Sequence, residues 1–286
     1  MNLLALVQQA TAELGLPVPT SVAGNTATDT VQQMALLNAA GAELARKHLW
    51  EMLVTEYRFT TLSQILTGTT TLGSAVVTGL PSTTSLDTTY MATGVGVGQD
   101  VYVKSVDSGT QVTLSSVATV AGTNALTFGK TKYSMPVDYD RQIDRTHFDK
   151  SKRWEMLGPE TAQQWQWLKS SWISTGPRIR YRILGGFFQI WPLCSTADVL
   201  GFEYVSKNWV LSNAGVGQAS FLADTDTCIF DDRLMILALK KHYFEIKGFD
   251  AQYFERDYEF QLNLAKTATI SMLNDNEPFC KVITRQ

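Results

Sequence analysis

Apolar residues Leu3, Val7, Ala10 and Leu14 step by four, three and four along the start of the chain. That spacing puts them on one face of a helix over about Leu3–Leu14. Gly15 ends this helix, and Pro17 and Pro19 prevent its continuation. After a polar loop from Thr20 to Thr28, Asp29 with Gln32 three residues on forms a start resembling a capping box. The second predicted helix runs to about Leu53, with a stripe of Val31, Met34, Leu37, Gly41, Leu44, His48 and Met52. The small residues Ala39, Ala40, Gly41 and Ala42 let another helix come close, and Trp50 closes the helix as a large anchor. Tyr57 and Phe59 then alternate with Arg58 and Thr60, which predicts a strand over Glu56–Thr61.

From about Gly68 to Gly129 the pattern changes. Thr, Ser, Gly and Val dominate, the only charges are Asp87, Asp100, Lys104 and Asp107, and no tryptophan occurs. Short β-prone runs at Ala75–Thr78, Val101–Val106, Gln111–Ser115 and Ala125–Phe128 are separated by turn residues. Asp107-Ser108-Gly109 reads as a hairpin turn between two of them. Helical signals return with Pro159 and Glu160, the first turn of a helix carrying Trp165, Leu168 and Trp172. Arg178 to Ile183 alternates strictly, Gly185-Gly186 supplies a tight turn, and Phe187–Trp191 returns as the partner strand. Val199–Ser206 is another strand. A helix capped by Asp231 or Asp232 ends at Lys247 before Gly248, and a second runs from near Asp250 to about Leu273, forming an αα-hairpin.

These elements predict an α+β fold. The N- and C-terminal helices form a helical bundle with a β layer, and a small all-β domain is inserted. The host domain is 1–67 and 130–286, and the Thr/Gly-rich insert is 68–129. A length of 286 residues accommodates two such bodies.

Composition changes the picture mainly by exclusion. Charged residues are 18% of the chain and the net charge is -3, with no Lys/Arg run, so the clustered cations that release counterions from DNA are missing. Cys194, Cys228 and Cys280 are odd in number and far apart, which argues against a disulfide framework or zinc site. The apolar N-terminus is short and interrupted by Gln8 and Gln9, so we read no signal peptide and no membrane span. His48, His147 and His242 have no partners at metal-ligand spacing, and no nucleophile–base, phosphate-loop or zinc motif occurs. Gly94, Gly96 and Gly98 lie in a β-region with no helix after them, unlike a dinucleotide loop. Asp224, Asp226, Asp231 and Asp232 are the densest carboxylates. They lack an EF-hand's spacing, and the last two suit a helix start; whether Asp224 and Asp226 hold a cation stays open. No catalytic, cofactor or metal residue is assigned, and the chain is expected not to be an enzyme. Arg178, Arg180 and Arg182 share one strand face, which is solvated, pairs across a subunit boundary or touches DNA. With Trp50 they are the candidate subunit-interface residues. Trp154, Trp165, Trp167, Trp172, Trp191 and Trp209 crowd one stretch and serve a core or an interface.

The opening helix closed by Gly15-Leu16-Pro17-Val18-Pro19, then Asp29 starting a long helix that ends Lys47-His48-Leu49-Trp50, then Tyr57-Arg58-Phe59, resembles a known pattern. So do Arg180-Tyr181-Arg182, Phe202 to Trp209, Phe221 to Asp226 and the closing αα-hairpin. The order is similar to that of the tail tubular protein A and head–tail adaptor proteins of short-tailed bacteriophages. The resemblance implies a structural virion protein at the head–tail junction, made in the host cytoplasm. It implies a homo-oligomeric, typically dodecameric ring that binds portal above and a tail nozzle or tube below. DNA would pass nonspecifically through its channel, with no cofactor and no membrane. The apolar tail after Pro278, with Phe279, Val282 and Ile283, is the candidate portal-binding segment. The alternative is another tail component, of fibre or baseplate type, whose β insert binds a receptor or glycan.

Overall fold

A computed structural model describes residues 1–170 and 176–275, with side chains through residue 267. In chain order the first elements are α1 (Leu3–Glu13), α2 (Thr28–Lys47), β1 (Val54–Thr60), β2 (Ser63–Thr70), β3 (Val76–Thr78) and β4 (Tyr90–Gly94). Then follow β5 (Val97–Ser108), β6 (Gln111–Leu114), β7 (Gly122–Lys130), β8 (Lys132–Ser134), β9 (Tyr139–Gln142), β10 (Phe148–Asp149) and β11 (Trp154–Glu155). The remainder comprises α3 (Ala162–Lys169), β12 (Arg180–Leu184), β13 (Phe187–Trp191), β14 (Val199–Ser206), β15 (Val210–Leu211), β16 (Gly217–Gln218), β17 (Thr227–Cys228), α4 (Asp232–Lys247) and α5 (Gln252–Asp275). Two compact units result: Met1–Thr55 with Asp138–Arg141 and the chain from Tyr204 onward, and Glu56–Val137 with Gln142–Glu203.

In the helical unit, α4 is the centre. Leu234 through Lys240 and Tyr243 are all buried, and α1, α2 and α5 each pack on α4. Its ends follow local chemistry. Asp231 accepts the Leu234 N–H at 3.0 Å, and Gly248 takes the left-handed φ of 74° that ends the helix cheaply. Lys240, though buried, is neutralised by an ion pair with Glu13, which also takes Arg233 at 3.0 Å. Within the small-residue run of α2, Gly41 makes room for an indole: a Cβ added there would sit 2.1 Å from the Trp209 ring. Phe221 and Phe230 flank Trp209, and Trp50 meets Phe230 at 5.4 Å between centroids.

In the other unit, β2, β3, β6, β5, β4 and β7 close into an antiparallel barrel. Closure is made by β2 against β7, in register from Ser63↔Gly129 to Thr70↔Gly122. With a side-chain period of two, inward positions supply Val77, Leu80, Val101, Val103, Val112, Leu114, Leu126 and Phe128 as the core. Outward positions carry threonines such as Thr67, Thr69, Thr78 and Thr123. Thr69 and Thr123, paired across the strands, join hydroxyls at 2.8 Å. Gly96 turns the chain from β4 to β5 at φ 79°, where an added Cβ would stand 2.7 Å from the Val120 carbonyl oxygen. The same unit holds a sheet of β12, β13 and β8, and β14 and β10 pair in another with β1 and β11.

The expected helical bundle with a β layer and a small β insert is overturned. Strand makes up 32% against about 28% helix, and the β-rich stretch is a closed six-stranded barrel. The reason is physical. Two of the six strands, Ser63–Thr70 and Tyr90–Gly94, carry Thr and Gly beside only two large apolar neighbours each, Ile65-Leu66 and Tyr90-Met91, and show no apolar alternation along their length. They become strands because both edges of each are paired by their neighbours.

Candidate assembly surfaces

The side chains of α5 separate into two apolar stripes. Tyr258 and Leu262, four residues apart, are buried at 3% and 0% exposure. Burial pushes the Tyr258 phenol up to about 12, and Lys47 and Lys241 stand 5.1 and 5.2 Å from its ring centroid. Tyr253, Phe260 and Leu264, spaced by seven and four, lie on the opposite face at 61%, 63% and 50% exposure. At the α4–α5 corner Ile246 and Phe249 are also more than half exposed. One helix thus presents an apolar stripe to its own unit and a second outward. Sequence reading of the hairpin missed the second stripe, although the 253, 260, 264 spacing beside 258, 262 carries it.

The expected interface residues take different places. Trp50 is buried, and its indole N–H donates to the Leu44 carbonyl at 2.7 Å. Arg178 is exposed, and Arg180 and Arg182 are half-buried. Arg180 pairs with Glu160 at 2.6 Å. The expected portal-binding Phe279, Val282 and Ile283 lie outside the described residues, as do Trp172 and Cys280.

The carboxylate cluster is occupied by backbone. Asp224 accepts the N–H groups of Val22 and Ala23 at 2.9 and 2.7 Å, and Asp226 those of Leu222 and Ala223, both at 2.8 Å. These contacts fasten loops to each other. Among the described residues no three His, Cys, Asp or Glu side chains converge as a metal site. His147 is buried in an aromatic stack between Tyr181 and Phe202, with Nδ1 3.0 Å from the Tyr181 hydroxyl and Nε2 without a hydrogen-bond partner. Burial there lowers its pKa to about 4. Burial also raises Cys194 and Cys228 to about 11, keeping both as thiols at neutral pH. Among the described residues no helix is long and apolar enough to cross a membrane.

No protein-family model matches the chain, and no curated protein matches it at a significant level.

Proposed function

We propose that the chain is a structural virion protein of a tailed bacteriophage, a ring-forming head–tail adaptor that joins portal to tail and forms part of the DNA channel. The observation that carries this reading is the outer stripe of α5. A large apolar side chain left in water forgoes about 1.5–3 kcal/mol of burial, and exposed apolar patches mark association surfaces. A head-to-tail ring uses two different patches per subunit, each covered by a different neighbour. The outward stripe of Tyr253, Phe260 and Leu264 is one such patch, and its occupant is a second copy of this chain. The order of elements that resembles the adaptor proteins supports the same reading. The segment with Phe279, Val282 and Ile283 is then the portal-docking element.

The test is the assembly state of the full chain, by light scattering coupled to size exclusion and by electron microscopy. A closed ring is expected, and replacing Phe260 and Leu264 together by Ser should yield folded monomers. A monomer at every concentration, or a two-fold dimer, overturns the reading. A trimer does so in favour of a fibre- or baseplate-type component.

A further inference from the structure

Within the β unit, β4 and β5 face α3 and the sheet of β8, β12 and β13 across a cleft of about 240 Å3. That is roughly eight waters at about 30 Å3 each, the scale of one sugar ring. Its floor is apolar, formed by the buried Met91 and Trp165. Its wall is the ring of Tyr102, 44% exposed. Lys132 Nζ stands 5.6 Å from that ring's centroid and has no carboxylate partner among the described residues. Lys169 Nζ lies 2.8 Å from Asp100 Oδ1, so that pair neutralises itself and the cleft keeps one positive charge in excess. Gln166 and Gln189 add planar amides to the lining.

We infer that this cleft binds a sugar unit bearing a carboxylate. The C–H face of a pyranose packs on an exposed aromatic ring, as Tyr102 offers. Its hydroxyls both donate and accept: the two amides can do either in return, and the Asp100 carboxylate accepts. A neutral sugar would leave Lys132 unanswered, and a simple anion would leave Tyr102 and the amides unused. A uronic acid engages all of them at once, through a few placed polar groups over an apolar floor. The inference does not rest on ring assembly, because α5 belongs to the other unit.

The experiment titrates the full chain with glucuronic acid, glucose and acetate, by calorimetry and by saturation-transfer NMR. Glucuronic acid should bind, glucose about tenfold more weakly, a difference of about 1.4 kcal/mol, and acetate not measurably. Lys132→Met should bring glucuronic acid down to the level of glucose, and Tyr102→Ser should remove binding of both. Gln166→Ala, at an exposed helix position, should weaken binding with the fold intact by circular dichroism. Equal binding of glucose and glucuronic acid, or binding of acetate as strong as either, overturns the inference. So does absence of binding by every probe, or binding indifferent to Lys132→Met and Tyr102→Ser in folded variants.

Discussion

The barrel and the helical unit solve the same problem with opposite materials. The barrel has small residues and few charges, yet closure leaves it no strand edge, and every outward position is free to be Thr or Ser. The helical unit has the large side chains, Trp50, Trp209, Phe221 and Phe230, but helices do not close on themselves. Each buries one stripe, and α5 keeps a second in contact with water. A closed sheet ends its interactions inside one chain, whereas an open stack of helices leaves a surface for another.

The sharpest way to break this comparison is inside the barrel. Phe128 is fully buried, so Phe128→Ala should cost about 3–5 kcal/mol, measured by urea unfolding. Ile65, on the same barrel at 66% exposure, should tolerate Thr within about 0.5 kcal/mol. Equal effects at the two positions would mean that inside and outside are misassigned.

Acid should then separate the units by pH window. In the β unit, His147 has a folded pKa of about 4 against 6.5 when free, because burial opposes its charge. The unfolded chain takes up the proton first, so stability falls as pH drops from about 6.5 to about 4, by about 3 kcal/mol in all. His147→Phe keeps the ring stack and should flatten this slope. In the helical unit, burial opposes the charge of Glu13. Bonds from Lys240, Gln9 and Arg233 outweigh that, and its pKa lies at about 2 against 4.5. Its stabilisation is present above pH 4.5 and lost only as pH falls toward 2. Solvent screening reduces this contribution to about 1 kcal/mol. Urea midpoints of the wild type, His147→Phe and Glu13→Gln across this range check both windows.

Gly41→Ala places a methyl against the rigid Trp209 indole and should cost about 1–3 kcal/mol by thermal unfolding. A neutral result would mean that the indole is not seated there. The smallest effect on folding should come from Phe260→Ser, within about 0.5 kcal/mol of wild type, while self-association weakens at the same time. Loss of folding would place Phe260 in the core instead.

Much of the secondary structure was legible because its signals are local. The strand Val199–Ser206, the hairpin about Gly185-Gly186 and the helix between Asp231 and Gly248 appear as read. Elements that depend on distant partners were not. Asp29 reads as an N-cap, but α2 starts at Thr28 and Asp29 instead meets Lys247 at 3.1 Å, more than two hundred positions away. His48 reads as part of the stripe of α2, yet the helix ends at Lys47 and His48 is extended. Trp50 reads as an interface anchor, but Phe230 and the Leu44 carbonyl hold it inside its own unit. The outer stripe of α5 was legible as spacing. Which of the two stripes would be covered was not.

By itself the sequence determined helix stops at Gly15 and Gly248, hairpin turns, the composition break near Gly68 and an overall charge of -3. These follow from backbone freedom, period and formal charge, all properties of residues a few positions apart. Only the tertiary structure decided that six weak strands close into a barrel, that Gly41 makes room for Trp209, and that Tyr102, Lys132 and Gln166 line one cleft. Each of these needs groups far apart in the chain to meet. Which of them meet is set by the competition among all buried surfaces at once, and no local pattern records its outcome.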